Sequence, residues 1–428
     1  MNGFSRDAVR DTPALSGNQA ANAAWLVVAA GGVAALHVGK LPPAIPVLQA
    51  SLGLTLVQAG FLLSLVQFTG MLAGVFVGLL ADQLGPRRVM LAGLALLALG
   101  SILGSLAPGV PALLTTRTLE SAGLLLTVLP APGLLRRLLA DPRAQRRALG
   151  VWGAYMPVGT ALALLVGPWA YATLGWRLSW ALLGGVSLLA LAWVARWVPP
   201  DSVWALPTGQ APTKQAPVLQ RLSLVWRSGS AWLLAGSFFM YSGQWLAVIG
   251  FLPTVYSAAG WSVTTVGLTA ALAAGVNMLG NVAAGRWLGR GAAPMWPLLT
   301  GFLAMGGGAL LAFGGAGAGG GPVLQYVAVL VFSAVGGLIP GTLFALAVQL
   351  APSDGTVSAT VGWMQQLSSL GQFVGPPAVA ALAVWAGGWQ FTGWFTAVCS
   401  LTGVVLALGL QRQWGALAAA GASQGRER

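Results

Sequence analysis

Between two long apolar runs, the chain contains the stretch Gly78-Leu79-Leu80-Ala81-Asp82-Gln83-Leu84-Gly85-Pro86-Arg87-Arg88. A glycine and an aspartate end the first apolar run, and two arginines precede the second. The Gly-Pro pair between them favours a chain reversal, because glycine has a free φ and proline cannot donate to a helix. The stretch therefore predicts a tight polar connection between two membrane-embedded helices.

The composition of the 428-residue chain excludes most soluble folds. Hydrophobic residues make up 57% of it, charged residues only 7%, and the mean hydropathy is +0.79. Such a chain has too little polar surface to cover a water-soluble globule. Windows of about 20 apolar residues, each able to cross about 30 Å of hydrocarbon, recur along its whole length. We predict an all-α membrane protein with twelve spans, at about 22–46, 55–80, 89–107, 111–135, 147–170, 178–198, 230–254, 262–285, 294–314, 322–350, 356–384 and 390–411.

The net charge of +13 reflects topology rather than a nucleic-acid partner. With twelve spans, 18 of the 21 basic residues fall on the side of the membrane that holds both termini. Arg177 falls on the other side, and Lys40 and Arg117 fall inside spans. This asymmetry predicts cytoplasmic termini in a plasma membrane of the bacterial inner-membrane type. The basic loops would contact anionic lipid headgroups, and no nucleic acid is expected.

The chain divides into two halves that repeat each other. A loop at 199–229 separates an N-terminal six-helix bundle (1–198) from a C-terminal one (230–428). Gly167-Pro168 is repeated as Gly375-Pro376, and Gly175-Trp176 as Gly388-Trp389. Such landmarks in the same order predict two pseudo-symmetric bundles with a cavity between them and transport by alternating access.

The sequence offers no catalytic or metal chemistry. Cys399 is the only cysteine and His37 the only histidine, so neither a disulfide nor a metal cluster is expected. No nucleotide-binding loop is present, and we expect no cofactor and no enzyme activity. A channel is disfavoured by the absence of charge rings.

Four ionisable residues lie deep within predicted spans, where charges are costly and usually functional. They form two i, i+3 pairs: His37 with Lys40 in span one, and Arg117 with Glu120 in span four. In one interpretation Lys40 and Arg117 bind an anionic substrate, and Glu120 carries the coupling proton. In the other, Arg117 and Glu120 form a permanent ion pair and Lys40 reaches the outer headgroups. His37 would line the cavity as a candidate substrate-binding residue or pack within the bundle, rather than relay protons.

Uncharged polar residues in other spans are further candidates for substrate binding. Amide side chains can bind a solute, or they can join helices by hydrogen bonds of about 0.6–2 kcal/mol each. The candidates are Tyr155, Tyr241, Gln244, Asn277 and Gln365.

The opening stretch resembles the loop between the second and third helices of the major facilitator superfamily, roughly G-x-L-A-D-R-x-G-R-R. Gln83 and Pro86 depart from that pattern, where basic residues are usual. The resemblance implies a role in latching the two halves for a gating motif made of Gly78, Asp82, Gly85, Arg87 and Arg88.

Two other segments resemble known carriers. Arg117 matches the arginine of the superfamily's fourth-helix motif. Trp152-Gly153-Ala154-Tyr155-Met156-Pro157-Val158-Gly159 is similar to bacterial carriers grouped with the cyanate and nitroimidazole transporters. Together with the cationic spans, these resemblances imply a monomeric secondary transporter of a small anionic solute, in symport with protons. The alternative is a drug or metabolite efflux antiporter of the same superfamily.

Overall fold

The computed structural model describes residues 17–204, 218–314 and 321–426. These residues fold into α-helices and short turns without any strand, which confirms the all-α prediction. The described part of the first half contains α1 (Gly17–Gly39), α2 (Leu41–Leu52), α3 (Leu56–Leu65), α4 (Phe68–Leu84), α5 (Pro86–Ser105), α6 (Val110–Val128), α7 (Ala131–Leu138), α8 (Pro142–Trp152) and α9 (Tyr155–Trp197). The rest contains α10 (Val218–Arg227), α11 (Gly229–Ala258), α12 (Val263–Gly275), α13 (Asn277–Gly289), α14 (Met295–Phe313), α15 (Gly321–Gly336), α16 (Leu338–Gln349), α17 (Val357–Ala386) and α18 (Gln390–Arg426).

Twelve spans follow from these helices. Ten helical stretches of the described chain are long and apolar enough to cross a membrane, and the bent pair α3–α4 makes eleven. The longest stretch contains all of α9, which is kinked at Gly175 with φ 75° and ψ 159°, a conformation that suits glycine. Trp180 Nε1 donates to Tyr171 Oη at 3.3 Å across this kink, so the chain folds back on itself there. Counting the two legs of α9 separately confirms the predicted number.

We number the spans in chain order. Spans 1 and 2 are α1–α2 and α3–α4, span 3 is α5, span 4 is α6–α7, and spans 5 and 6 are the two legs of α9, with α8 leading into the first. Spans 7 to 12 are α11, α12–α13, α14, α15–α16, α17 and α18. Because successive spans run in opposite directions, the start of span 1 and the end of span 12 share one side of the bundle. We call that side the termini face and the opposite side the distal face.

The hydrophobic core shows how the two halves meet. One cluster of buried residues comes only from spans 1–6 and another only from spans 7–12. Two further clusters join the halves: Leu41 packs in one cluster with Phe251 and Val379, and Leu164 packs in the other with Ile249. These bridging residues lie in the parts of their spans near the distal face. Each half is therefore packed as a unit, and the halves are sealed together on the distal side.

Spans 2 and 11 are also joined by neutral hydrogen bonds near the middle of the bundle. Gln67 Nε2 donates to Gln372 Oε1 at 3.1 Å, and Ser369 Oγ donates to Gln67 Oε1 at 3.4 Å. Gln366 Nε2 donates to the Met71 carbonyl at 2.8 Å. No ion pair joins the two halves among the residues that the structure describes.

The duplication extends to buried polar contacts. In the first half, His37 Nε2 and Ser187 Oγ lie 2.8 Å apart between spans 1 and 6. In the second half, Ser400 Oγ donates to Gln244 Oε1 at 3.0 Å between spans 7 and 12. Both serines occur 12 residues after the corresponding Gly-Trp pair. Equivalent helix pairs are thus joined by equivalent serines, as expected for repeated halves.

The central segment at 199–229 contains structure that the sequence analysis did not predict. A 3₁₀ turn spans Asp201–Trp204, and α10 precedes span 7. Leu222 and Val225 on α10 are buried, and their i, i+3 spacing places them on one helix face. This amphipathic pattern explains why α10 packs against the second half.

Candidate functional site: a central cavity and a buried charge cluster

A cavity of about 540 Å³ lies between the two halves. The first half lines it with the middle of span 2, the second part of span 4 and the start of span 5. The second half contributes spans 7, 8, 10 and 11. These residues lie between the start and the middle of the odd-numbered spans and between the middle and the end of the even-numbered ones. The cavity is therefore on the termini side of the distal seal.

Aromatic side chains line the cavity from both halves. Trp152 and Tyr155 at the start of span 5 are stacked, with ring centroids 4.4 Å apart and an interplanar angle of 20°. In the second half, Phe238 is stacked on Tyr241 at 6.0 Å and meets Phe344 edge-on at 5.6 Å. Such geometries are those that aromatic quadrupoles favour.

The second half supplies most of the hydrogen-bonding groups of the cavity. Tyr241 Oη donates to Asn277 Oδ1 at 3.1 Å, and Asn277 Nδ2 donates to the Ser333 carbonyl at 2.8 Å. Asn281 Nδ2 donates to Asn277 Oδ1 at 3.2 Å. Gln365 is exposed to the cavity. None of the described lining residues is charged.

The polar candidates from the sequence fall into two groups. Tyr155, Tyr241, Asn277 and Gln365 line the cavity. Gln244 does not, since it is fully buried between the Met240 carbonyl and Ser400. Its side chain joins spans 7 and 12 in this conformation.

The four charged candidates meet in one cluster inside the first half, which we call the charge cluster: His37, Lys40, Arg117 and Glu120. Glu120 Oε1 accepts from His37 Nδ1 at 3.1 Å and from Lys40 Nζ. Glu120 Oε2 accepts from Arg117 Nη1 at 2.6 Å. Each of these side chains is at most 3% exposed.

Neighbouring spans fix the position of Lys40. Its Nζ donates to Ser101 Oγ of span 3 at 2.9 Å and lies 4.1 Å from the Trp180 ring of span 6. The Lys40 carbonyl accepts from Tyr171 Oη at 2.6 Å. The Pro42–Pro43 pair that follows begins α2, where missing N–H groups are tolerated. Lys40 is thus directed into the bundle rather than toward the outer headgroups.

Arg117 joins three spans and keeps one group unpaired. Its Nη1 donates to the His37 carbonyl at 2.6 Å, and its Nε donates to the Leu62 carbonyl at 3.3 Å. Its Nη2 is buried without a hydrogen-bond partner. An unpaired donor on a buried cation is costly, so this nitrogen is a site at which an anion would be favourable.

The charge cluster contains two cations for one acid. With His37 neutral, Lys40, Arg117 and Glu120 leave one formal positive charge in a nearly dry site. Glu120 is the only acid in the middle of a described span. The cluster therefore has an uncompensated positive charge that attracts an anion.

The charge cluster lies just beyond the closed end of the cavity. Arg117 precedes the lining residue Ser121 by four positions on α6, and Leu62, which binds Arg117, precedes the lining residue Val66 by four. Residues i and i+4 share a helix face, separated by about 6 Å of rise. One helical turn thus separates the cavity from the cluster.

The gating motif is only partly described. Helix α4 continues through Gly78 and Asp82, but the surroundings of Gly78 and the side chain of Asp82 are outside the described part of the structure. Gly85, with φ 95°, precedes α5. Arg87 Nε donates to the Val198 carbonyl at 2.8 Å, and its Nη2 donates to the Ala195 carbonyl at 2.5 Å. Arg88 is exposed.

Asp201 also binds this motif, although the sequence analysis did not single it out. Its two carboxylate oxygens accept from the backbone N–H groups of Arg87 and Arg88 at 3.1 and 3.0 Å. An acid in this place satisfies free donors at the N-terminus of α5. The loop between spans 2 and 3 is therefore fixed to the end of span 6, within the first half.

The family model for the Major Facilitator Superfamily matches residues 27–370. The chain belongs to this superfamily. The match places the chain among membrane transporters rather than enzymes, as predicted, and identifies it as a multi-pass membrane protein. The resemblance noted in the opening stretch is thereby confirmed at the level of the superfamily.

Curated relatives match over parts of their length. The 3-(3-hydroxy-phenyl)propionate transporter of Escherichia coli is 32% identical over 37% of this chain and 39% of that protein. The puromycin resistance protein pur8 of Streptomyces alboniger is 31% identical over 35% of this chain and 29% of that protein. The multidrug transporter mfsC of Aspergillus fumigatus is 27% identical over 31% and 26%. The chain thus matches two fifths or less of the length of each.

A solved structure resembles most of the chain. A bacterial homologue of the human lysosomal transporter Spinster, in an inward-facing and unoccupied conformation, matches with a TM-score of 0.71. The match covers 93% of this chain and 98% of the other, at 15% identity. At that identity the likeness shows the fold alone, which agrees with two six-helix bundles.

Proposed function

We propose that this protein is a secondary active transporter that moves a small organic anion by alternating access, in symport with protons. The observation that carries the proposal is the charge cluster, with its excess positive charge and unpaired Arg117 Nη2, one helical turn beyond the cavity. The guanidinium fork of Arg117 suits a carboxylate, since it can donate two parallel hydrogen bonds. The E. coli relative is named for transport of a carboxylate, 3-(3-hydroxy-phenyl)propionate.

Competition for the same cations links the anion to the proton in this proposal. Glu120 forms ion pairs with both Lys40 and Arg117. A carboxylate that binds these cations displaces Glu120, which then becomes neutral by taking up a proton. The anion and the proton would enter together and leave the charge of the cluster unchanged.

Orientation follows from the basic residues near the termini face. Arg88, Arg136 and Arg137 are exposed there, as the positive-inside rule expects of a cytoplasmic surface. We therefore propose cytoplasmic termini in a bacterial inner membrane and a cavity on the cytoplasmic side of the distal seal. One chain supplies both halves of the cavity, so the monomer suffices for transport.

The test is uptake of radiolabelled carboxylates by proteoliposomes with an alkaline interior, using acetate, propionate, benzoate and 3-phenylpropionate as probes. We expect at least one probe to accumulate, and Lys40→Met to reduce its uptake at least about tenfold through loss of a buried charged contact. Arg177→Gln is the matched control, because Arg177 binds the Ser105 and Ala107 carbonyls away from the cluster. Equal uptake by wild type and Lys40→Met would contradict the proposal.

Proton coupling has a separate test. Glu120→Gln should still exchange labelled for unlabelled solute but should no longer accumulate it in response to the pH gradient. Asp141→Asn is the matched acid-to-amide control, since Asp141 is an exposed helix cap. Accumulation by Glu120→Gln with the wild-type pH response would reject Glu120 as the proton carrier.

A second candidate function is efflux of drugs or metabolites. The cavity lining favours it, because the described lining residues are uncharged and largely aromatic or apolar. Two of the relatives are named for multidrug transport or puromycin resistance. Under this alternative, cells that express the protein would resist puromycin, and Lys40→Met would leave that resistance unchanged.

A further inference from the structure

The two aromatic groups of the cavity belong to different halves and are both held rigidly. We propose that the transported anion carries an aromatic ring, which binds between the Trp152–Tyr155 pair and the Phe238–Tyr241–Phe344 group, with its carboxylate directed toward Arg117. This inference rests on the proposed function and specifies its substrate class.

On the first side, Trp152 fixes Tyr155. The indole of Trp152 lies directly against Gly31 of α1 and is only 8% exposed. Tyr155 is stacked on Trp152 and is half-buried at the cavity. A ring supported in this way offers contact area without losing side-chain freedom on binding.

On the second side, three rings and an amide chain fix one another. Phe238 packs on both Tyr241 and Phe344, and Phe344 is 39% exposed. The hydroxyl of Tyr241 is held by Asn277, which is itself held by the Ser333 carbonyl. Tyr241 and Asn281 thus place hydrogen-bonding groups beside the aromatic surface, where a ring substituent such as a hydroxyl could bind.

The distance along span 1 sets the length of the solute. Trp152 lies level with Gly31, and Arg117 Nη1 binds the His37 carbonyl. Six residues of α-helix separate these levels, which is about 9 Å. A hydrogen bond of about 3 Å to Arg117 leaves about 6 Å between the carboxylate and the ring. That is the reach of an arylalkanoate with a linker of two or three carbon atoms.

The volume agrees with such a solute. Cavities of roughly 300–1,000 Å³ enclose drug-sized molecules, and this one has about 540 Å³. A simple inorganic anion would leave the aromatic surfaces in contact with water, so the lining matches a solute with a flat apolar part.

The experiment compares two ligands of the same charge that differ in ring character. Binding of 3-phenylpropionate and of 3-cyclohexylpropionate to the purified full-length protein is measured by calorimetry and by competition for uptake in proteoliposomes. We expect 3-phenylpropionate to bind about 3- to 10-fold more tightly, because ring stacking adds to apolar burial. The variants Tyr155→Leu, Phe238→Leu and Phe344→Leu should remove that preference while retaining binding of both ligands.

Trp193→Leu is the control variant, since Trp193 lies in span 6, is 54% exposed and does not line the cavity. It should keep the wild-type preference. Equal affinities of wild type for the two ligands would overturn the inference, as would a preference that survives in every folded aromatic variant. If acetate or propionate is transported without any such preference, the proposed function stands and the aromatic class fails. If no carboxylate binds at all, both fail.

Discussion

Replacement of Glu120 by glutamine should strongly destabilise the first half. Glu120 has three partners, namely His37, Lys40 and Arg117, and it is about 1% exposed. The glutamine side chain leaves Lys40 and Arg117 buried without an acid. Its amide N–H groups would also face the donors of these two cations. Removal of one partner from a buried ion pair costs about 3–5 kcal/mol, so we expect Glu120→Gln to lower the free energy of unfolding by that amount.

A second substitution tests whether charge is the cause. Lys40→Met alone leaves Arg117 paired with Glu120 and brings the cluster to formal neutrality, so its cost should stay below about 2 kcal/mol. In Lys40→Met/Glu120→Gln a single cation remains, and the double variant should be more stable than Glu120→Gln by about 1–3 kcal/mol. Ser101 keeps its bond to the Trp180 carbonyl when Lys40 is replaced.

The assay is unfolding in mixed micelles of dodecyl maltoside and rising SDS, followed by far-UV circular dichroism. Asp141→Asn provides the control, because an exposed Asp-to-Asn change at a helix cap costs little. This prediction would be refuted if the free energy of unfolding of Glu120→Gln were within about 0.5 kcal/mol of the wild-type value. It would equally be refuted if the double variant were no more stable than Glu120→Gln.

Three further predictions concern residues outside the cavity. Gly175→Ala should lower the free energy of unfolding in the SDS titration by about 1–3 kcal/mol, because the φ of 75° at this position disfavours a Cβ. Gly185→Ala in the same helix has open space for a Cβ and should be neutral or slightly stabilising in that titration. Asp201→Ala removes the acceptor of the Arg87 and Arg88 N–H groups, so it should lower stability by about 1–2 kcal/mol and speed hydrogen exchange at the start of α5. Ser202→Ala should change neither quantity. Ser187→Ala and Ser400→Ala should each lower the stability by about 1–3 kcal/mol, because His37 or Gln244 then lacks a buried hydrogen-bond partner. Thr173→Ala, on an exposed surface, should leave the melting temperature in thermal scans nearly unchanged.

The fold was largely predictable from the sequence because membrane spans depend on local composition. Long apolar runs set the helix bounds, and repeated Gly-Pro and Gly-Trp pairs indicated two halves. The helix α10 was missed although Leu222 and Val225 have helical spacing. Its amphipathic pattern is short and lies within a polar segment, so it gives only a weak helix signal.

The site was less predictable, because it depends on helix rotation and on distant partners. The sequence indicated two separate i, i+3 pairs, His37 with Lys40 and Arg117 with Glu120. The structure brings all four residues together in one cluster. Nothing local distinguishes Gln365, which lines the cavity, from Gln244, which joins two helices. The roles of these residues in binding and coupling stay predictions.

The contacts between spans 2 and 11 bear on how the protein changes state. Every hydrogen bond described there involves amides, hydroxyls or carbonyls, and polar contacts of this kind inside membranes average about 0.6 kcal/mol. Breaking these described contacts therefore leaves no charge without a partner in the hydrocarbon. Because salt screens charges, the contribution of these neutral contacts to the balance between conformations should be nearly independent of ionic strength.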